Sequence, residues 1–264
     1  MSLTGKTLSG SYKDILQVDN SNSGLTTSVK TVKDGEGTSS CLSISDDNVI
    51  IRPVNDDTTS TLRVRASGGD VILDVDTTNQ LVTASGNLVN TQYAYFGVGS
   101  TQSSAFADDT HQAIPFSAAP QATLSYPPAF GTSTDPATTF TTAEGNATRA
   151  SDLVPVMWLV PDAISIDSVT SIEGADTATG DTSRMHLFSY TFTSGSTSAL
   201  TSGTLLAHNT DVTNAGSEQA YKSTWTVDSA AVSSGKVILA FFKSDSVNSD
   251  YSINITVKYH LTYE

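Results

Sequence analysis

The 264-residue sequence predicts an all-β protein. The expected layout is an N-terminal intertwined β-stalk or β-prism-like segment (residues 1–87) followed by a jelly-roll β-sandwich (residues 88–264). Three observations carry that expectation. Hydrophobic residues make up 38% and charged residues 15% of the chain, so Ser, Thr, Asn, Asp and Gly are over-represented. These residue types favour strands and the turns between them, and long windows of Ala, Leu, Glu and Lys are absent. Short runs with alternating apolar and polar residues recur, each closed by a cluster of turn formers. Aromatic residues are also unevenly placed, with none between Tyr12 and Tyr93.

Residues 1–17 are rich in Gly, Ser, Thr and Lys, with an apolar patch at Ile15 and Leu16. Such a terminus is expected to be held by its own oligomer or by a larger assembly. Six short strands follow: LQVDN (16–20), CLSISDDN (41–48), VIIRPVNDD (49–57), TLRVRASGG (61–69), DVILDVDTTN (70–79) and QLVTASGN (80–87). The closing turns resemble one another (SDDN, VNDDTT, SGGD, VDTTN), an irregular repeat of roughly 10 to 15 residues and shorter than solenoid periods. A short strand with one Val/Ile/Leu face cannot bury that face alone, and isolated hairpins are marginal in water. Without aromatic residues the segment makes a poor single-chain globule. Wound around identical copies, its Val/Ile rows face a common axis and its strand edges pair between protomers. The alternative is an ordinary β-sandwich with short strands.

The composition changes near residue 88. NTQYAYFGVGS (90–100) brings the aromatics, and residues 100–150 are rich in Pro, Thr and Ala, reading as long loops with brief strands. Seven strands are then expected: LVPVMWLV (153–160), AISIDSVTSIE (163–173), MHLFSYTFTS (185–194), GTLLAHNTDV (203–212), AYKSTWTVD (220–228), GKVILAFFKSD (235–245) and YSINITVKYHLTY (251–263). In the last, Ile253, Ile255, Val257, Tyr259 and Leu261 alternate with polar residues. KVILAFF is nearly all apolar, as a central strand covered on both sides should be. Strands and turns at this spacing indicate a sandwich of jelly-roll type.

Charge and cysteine content exclude several functions. The net charge is −14, and no Lys/Arg cluster exists to displace counterions from nucleic acid or to meet an anionic membrane. Cys41 is the sole cysteine, so an intrachain disulfide and a cysteine-based zinc site are both ruled out. The opening MSLTGKTLSG lacks the apolar core of a secretory signal, and no apolar run is long enough for a membrane helix. Synthesis in a reducing cytoplasm is expected.

No residue pattern specifies catalysis or a cofactor. His111, His186, His208 and His260 lack metal-ligand spacing, and in strands such residues are expected as surface or packed imidazoles. Asp74, Asp76 and Asn79 in DVDTTN, with the pairs Asp56–Asp57 and Asp108–Asp109, offer oxygen-rich turns of the kind calcium uses. Hairpins need the same residues, and no EF-hand loop is completed. Glu144, Asp152, Glu173, Asp176 and Asp181 are the carboxylates a glycosidase would have to pair, and nothing in the sequence pairs them. A nucleophile elbow and a phosphate-binding loop are absent, GVGS (97–100) being too short. Trp158 is expected in the core; Trp225 is expected there too, or else as an exposed ring that stacks on sugar. NAT (146–148) and NIT (254–256) read as chance matches to the glycosylation signal.

The strand-and-turn run from DILQVDNSNSG (14–24) to NVIIRP (48–53), and the strands from VPDAISIDSVTSI (160–172) to SGKVILAFFKSD (234–245), resemble fibre, head-fibre and capsid-decoration (cement) proteins of tailed bacteriophages. The first is 14-DILQVDNSNSGLTTSVKTVKDGEGTSSCLSISDDNVIIRP-53. In it a short strand, a DNxNxG turn, a V-x-D-G-x-G-T-x-S segment and a further strand follow in order. The second comprises VPDAISIDSVTSI (160–172), HLFSYTFTSGSTSALTSGTLLA (186–207) and SGKVILAFFKSD (234–245), similar to jelly-roll heads of phage fibres and spikes. The resemblance implies a homotrimeric, non-enzymatic structural protein on a virion surface, made in the host bacterial cytoplasm. It carries over no site residues. The expected partners are further copies of the chain and the major capsid protein, because 264 residues suit a compact stalk and head. A tail fibre or spike whose head binds a host-surface glycan is the alternative, and a depolymerising spike a third.

Overall fold

The computed structural model describes residues 13, 15–18, 20, 21, 23–99, 109–116, 150–176, 179–245 and 250–262. The expected captured N-terminus, most of the Pro/Thr/Ala-rich stretch, Asp108, Glu144 and Asn146 lie outside them, as do the side chains of Asp152 and Asp176. The chain divides into two compact units, Met1–Val89 and Asn90–Glu264.

The first unit holds two antiparallel meanders. In one, β1 (Gln17–Val18), β2 (Lys30–Lys33), β3 (Ser39–Ile44) and β4 (Val49–Ile51) lie side by side in chain order. In the other, β5 (Leu62–Arg65), β6 (Val71–Asp76), β7 (Leu81–Ala84) and β8 (Asn87–Leu88) do the same. The turn between β7 and β8 is Ser85–Gly86, both with positive φ (49° and 79°), the twist a tight hairpin requires. Strand β2 is absent from the sequence expectation because Lys30-Thr31-Val32-Lys33 has one apolar residue. Yet Val32 is the one apolar side chain buried among the described residues of this unit.

The second unit contains β9 (Thr91–Val98), β10 (Gln112–Ile114), β11 (Trp158–Leu159), β12 (Ile164–Asp176), β13 (Thr182–Thr191), β14 (Thr204–His208), β15 (Val212–Thr213), β16 (Glu218–Thr224), β17 (Thr226–Val227), β18 (Ala231–Val232), β19 (Lys236–Ser244) and β20 (Asp250–Leu261). They form two antiparallel sheets. A central sheet has the order β10-β19-β13-β14-β17, with β11 on β19 and β15 on β13. A flanking sheet has the order β16-β12-β20-β9, with β18 on β12.

Strand β19 explains how the layers cohere. Its Ile238, Ala240 and Phe242 face the flanking sheet, with Met185 and Leu187 of β13, against Phe96, Val169, Ile253, Ile255 and Val257. Its Val237, Leu239 and Phe241 face the other way, with Phe188 and Tyr190 of β13, and are covered by Leu153, Val156, Leu200 and Leu205. The unbroken apolar run KVILAFF is therefore covered on both faces, as its composition indicates.

Two expected strands differ in the structure. LVPVMWLV (153–160) is a 3₁₀ turn over Ala150–Val156 followed by the two-residue β11. Pro155 has no N–H to give a ladder. The three-residue period of the turn instead points Leu153 and Val156 at the same core, both fully buried. AYKSTWTVD (220–228) is split at Trp225: β16 pairs with β12 of the flanking sheet and β17 with β14 of the central one. The Trp225 amide donates to Val169 O at 3.0 Å and its indole Nε1–H to Ser171 Oγ at 2.9 Å, so the ring sits inside the sandwich where the chain changes sheets. Trp158 is also interior, stacked on Phe116 at a centroid distance of 5.7 Å.

Phe241 and Phe242 are fully buried on opposite faces of β19. Replacing either by Ala should cost about 3–5 kcal/mol in urea unfolding. Tyr93→Ala on the exposed side of β9 should fall within about 0.5 kcal/mol of the parent.

Candidate functional site

The β5–β8 meander has two unlike faces. Register places Leu62 opposite Val75 and Val75 opposite Val82; the next row is Val64, Leu73 and Ala84. These six side chains share one face, since residues directly paired or two apart along a strand point the same way. All six are apolar, and none is buried: Val64 and Val82 are exposed and Leu62, Leu73 and Val75 half-buried. The opposite face carries Arg63, Asp74, Asp76 and Thr83, together with the apolar Ile72 and Leu81. There the Arg63 guanidinium donates to Asp74 Oδ2 (Nε at 3.1 Å) and the Ser60 hydroxyl to Asp74 Oδ1 at 2.8 Å. Those bonds hold the Asp74 carboxyl below its ordinary range. In the first meander Leu42 pairs with Ile51 and Ile44 with Val49 on one face, which Lys30 also joins, while Ile50 pairs with Ser43 on the other. Val49, Ile50 and Ile51 are all exposed. In the β5–β8 meander the six-residue face is wholly apolar and unburied, whereas the reverse face mixes charged, polar and apolar side chains.

The oxygen-rich turn does not gather its ligands. Asp74 is occupied by Arg63 and Ser60, while Asp76 accepts the Asn79 amide at 2.9 Å and its side-chain Nδ2–H at 2.7 Å. Asp76 acts as the cap of a hairpin turn, with a lowered pKa due first to the Asn79 side-chain bond. Among the described residues no group of three or more His, Cys, Asp or Glu is placed to hold a metal ion.

The sandwich brings together three of the four histidines. His111 lies 5.6 Å from His186, and His186 lies 6.5 Å from its cross-strand partner His208, centroid to centroid. His208 Nδ1 is 2.7 Å from Asp228 Oδ2. Residues so far apart in the chain have no spacing that could have revealed this row. His260 lies elsewhere, on β20, with Nδ1 2.8 Å from Asp167 Oδ1. Beside the histidines is a polar pocket of about 170 Å³ lined by Asp109, Thr182, Ser183, Arg184, Asp211, Lys243 and Asp245. Its two cations are matched, Arg184 to Asp211 at 3.1 Å and Lys243 to Asp109 at 3.2 Å. Asp245 accepts the Thr182 amide at 2.6 Å.

Of the carboxylates considered for hydrolysis, Glu173 is the one the fold isolates. It points between the sheets, is 2% exposed, and accepts the Ser183 hydroxyl at 2.8 Å on Oε2, while Oε1 has no partner among the described residues. Burial pushes its pKa up to about 7, with the Ser183 bond pulling the other way. A lone carboxyl in a closed interior is not the groove-lining pair that glycoside hydrolysis needs. Sequence reasoning also overlooked Tyr93 and Tyr95, whose Y-A-Y alternation is the signal that two rings face solvent.

No family model and no curated protein matches the chain.

Glu173 makes stability pH-dependent. Its folded-state pKa is raised, so the stabilising protonated form is fully present below about pH 4.5 and is lost as pH rises through about 7. Glu173→Gln should leave stability at pH 4 little changed. At pH 8 it should raise stability over the parent by up to about 3 kcal/mol, read by urea unfolding at the two pH values.

Proposed function

We propose that the protein is a homotrimeric structural component of a bacteriophage virion. It serves as a capsid-decoration (cement) or head-fibre protein on the outside of the capsid. The first unit is an intertwined β-stalk or prism, and the second is a jelly-roll head. The observation that carries this reading is the six-residue apolar face of β5–β7, none of it buried within the chain. Covering an exposed Val, Leu or Ile yields roughly 1.5–3 kcal/mol, so several such residues per chain supply ample drive for association. Three copies can turn these faces to a common axis and close a prism with no free edge. The trimer and the virion location come from the resemblance to phage fibre and decoration proteins. The major capsid protein is the partner, held through buried area rather than chemistry. The non-enzymatic role, too, comes from that resemblance.

A second reading has one observation of its own. Tyr93 and Tyr95 stand exposed side by side on β9. A tail fibre or spike head that binds a host-surface glycan would need such rings.

Two experiments test the proposal. Val64→Asp with Val82→Asp alters side chains that a single chain leaves exposed, so a monomer would lose little stability. In the assembly each buried charge costs several kcal/mol, so the double variant should sediment as a monomer and keep the near-UV signal of Trp158 and Trp225. The parent protein mixed with DNA-emptied capsids should bind at fixed stoichiometry. Failure to bind capsids, together with adhesion to host cells, would select the second reading.

A further inference from the structure

The flanking sheet turns one face to the core and one to solvent, and the solvent face has an unusual make-up. Alternation along β9 sends Ala94 and Phe96 inward and Tyr93 and Tyr95 outward, 53% and 42% exposed. The register then lays out the surface. Lys258 lies beside Tyr93, Thr256 beside Tyr95 and Asn254 beside Gly97. Further across, Thr170 follows Thr256 and Ile172 follows Asn254, and Thr224 and Lys222 complete those rows on β16. Ser252, Gly174 and Ala220 form the next row.

Shape follows from these identities. Two tyrosine rings, ~6.8 Å apart along the strand, stand on one edge strand above a floor of Thr, Ser, Asn, Gly and Ala in which Ile172 is the one large apolar side chain. Lys222 rises on the opposite edge strand, about 14 Å across four strands. The result is a shallow trough with an aromatic rim and a hydroxyl-rich base. Tyrosine rings offer flat apolar contact with a polar tip, and the floor supplies donors and acceptors for sugar hydroxyls.

Charge selects among sugars. The chain carries −14 overall, yet Lys222 and Lys258 are the charged side chains within these rows. Acidic residues begin one row beyond Ala220, where Asp176 registers with Asp250 and Glu218, and at Asp167, which His260 already engages. Lys243 and Arg184 of the central sheet are matched by Asp109 and Asp211. Lys222 and Lys258 have no carboxylate partner among the described residues. Two unmatched ammonium groups beside two exposed rings complement an acidic sugar chain.

We propose that this outward face binds an anionic polysaccharide. Tyr93 and Tyr95 stack on successive sugar rings, and Lys258 and Lys222 meet the acid groups. The inference rests on the receptor-binding reading of the head and names the class of glycan.

The test is native gel electrophoresis of the full chain in gels containing polygalacturonate, hyaluronate or dextran. The acidic polymers should retard the protein despite its own negative charge, dextran should not, and added salt should weaken the retardation. Tyr93→Ala with Tyr95→Ala should weaken it about tenfold or more, and Lys258→Gln several-fold. These positions are exposed or half-buried, so the variants should fold. Absence of retardation by both acidic polymers, or equal retardation of the tyrosine double variant, would overturn the proposal. So would loss of the oligomer in that variant by light scattering, which would make the face a subunit contact. Adsorption to host cells without retention by either acidic polymer would refute this inference and leave the receptor-binding reading standing. Absence of both would remove that reading too.

Discussion

Every strand with an apolar face must find a second surface to cover it, and the two units of this chain meet that demand differently. In the second unit the demand is met within the chain. Strand β19 places Phe242 against the flanking sheet and Phe241 against Leu153, Val156 and Leu205, so one strand supports both layers of the core. In the first unit it is not met: Leu62, Val64, Leu73, Val75, Val82 and Ala84 share a face and none is buried. That unburied face is what the proposed association with further copies would cover.

The polar groups inside the sandwich show the cost of filling an interior with strands. Glu173 and Ser183 are buried between the sheets, and His111 and His186 are buried on the opposite face of the central sheet. A buried carboxyl stays neutral because ionising it without a partner is expensive, and the Ser183 hydroxyl offsets a part of that. The ion pairs of Arg184 and Lys243 line a pocket whose two cations are already matched. The outward face of the flanking sheet differs, since its two lysines have no carboxylate partner among the described residues.

Much of the fold was legible because period-two alternation and turn clusters are local signals. The alternation from Ile253 to Val257 and the continuous run at Val237–Phe242 both correspond to observed strands and to the sides they bury. Where tertiary context overrode the local pattern, the reading failed. Pro155 turned an apolar run into a 3₁₀ turn, Trp225 broke one apparent strand between two sheets, and β2 had too little apolar character to be noticed. Sites were far less legible. The row His111–His186–His208 is assembled by strand order and leaves no spacing in the sequence. The turn at Asp74–Asn79 was legible as oxygen-rich, but Arg63, Ser60 and the Asn79 amide turned out to use those oxygens.

The central claim is that the apolar face of the first unit is covered by copies of the same chain. Sedimentation equilibrium of the full-length protein over a wide concentration range tests it most directly. The account predicts a particle of three times the 27.6 kDa chain mass that persists on dilution. A species of 27.6 kDa at every concentration would contradict it.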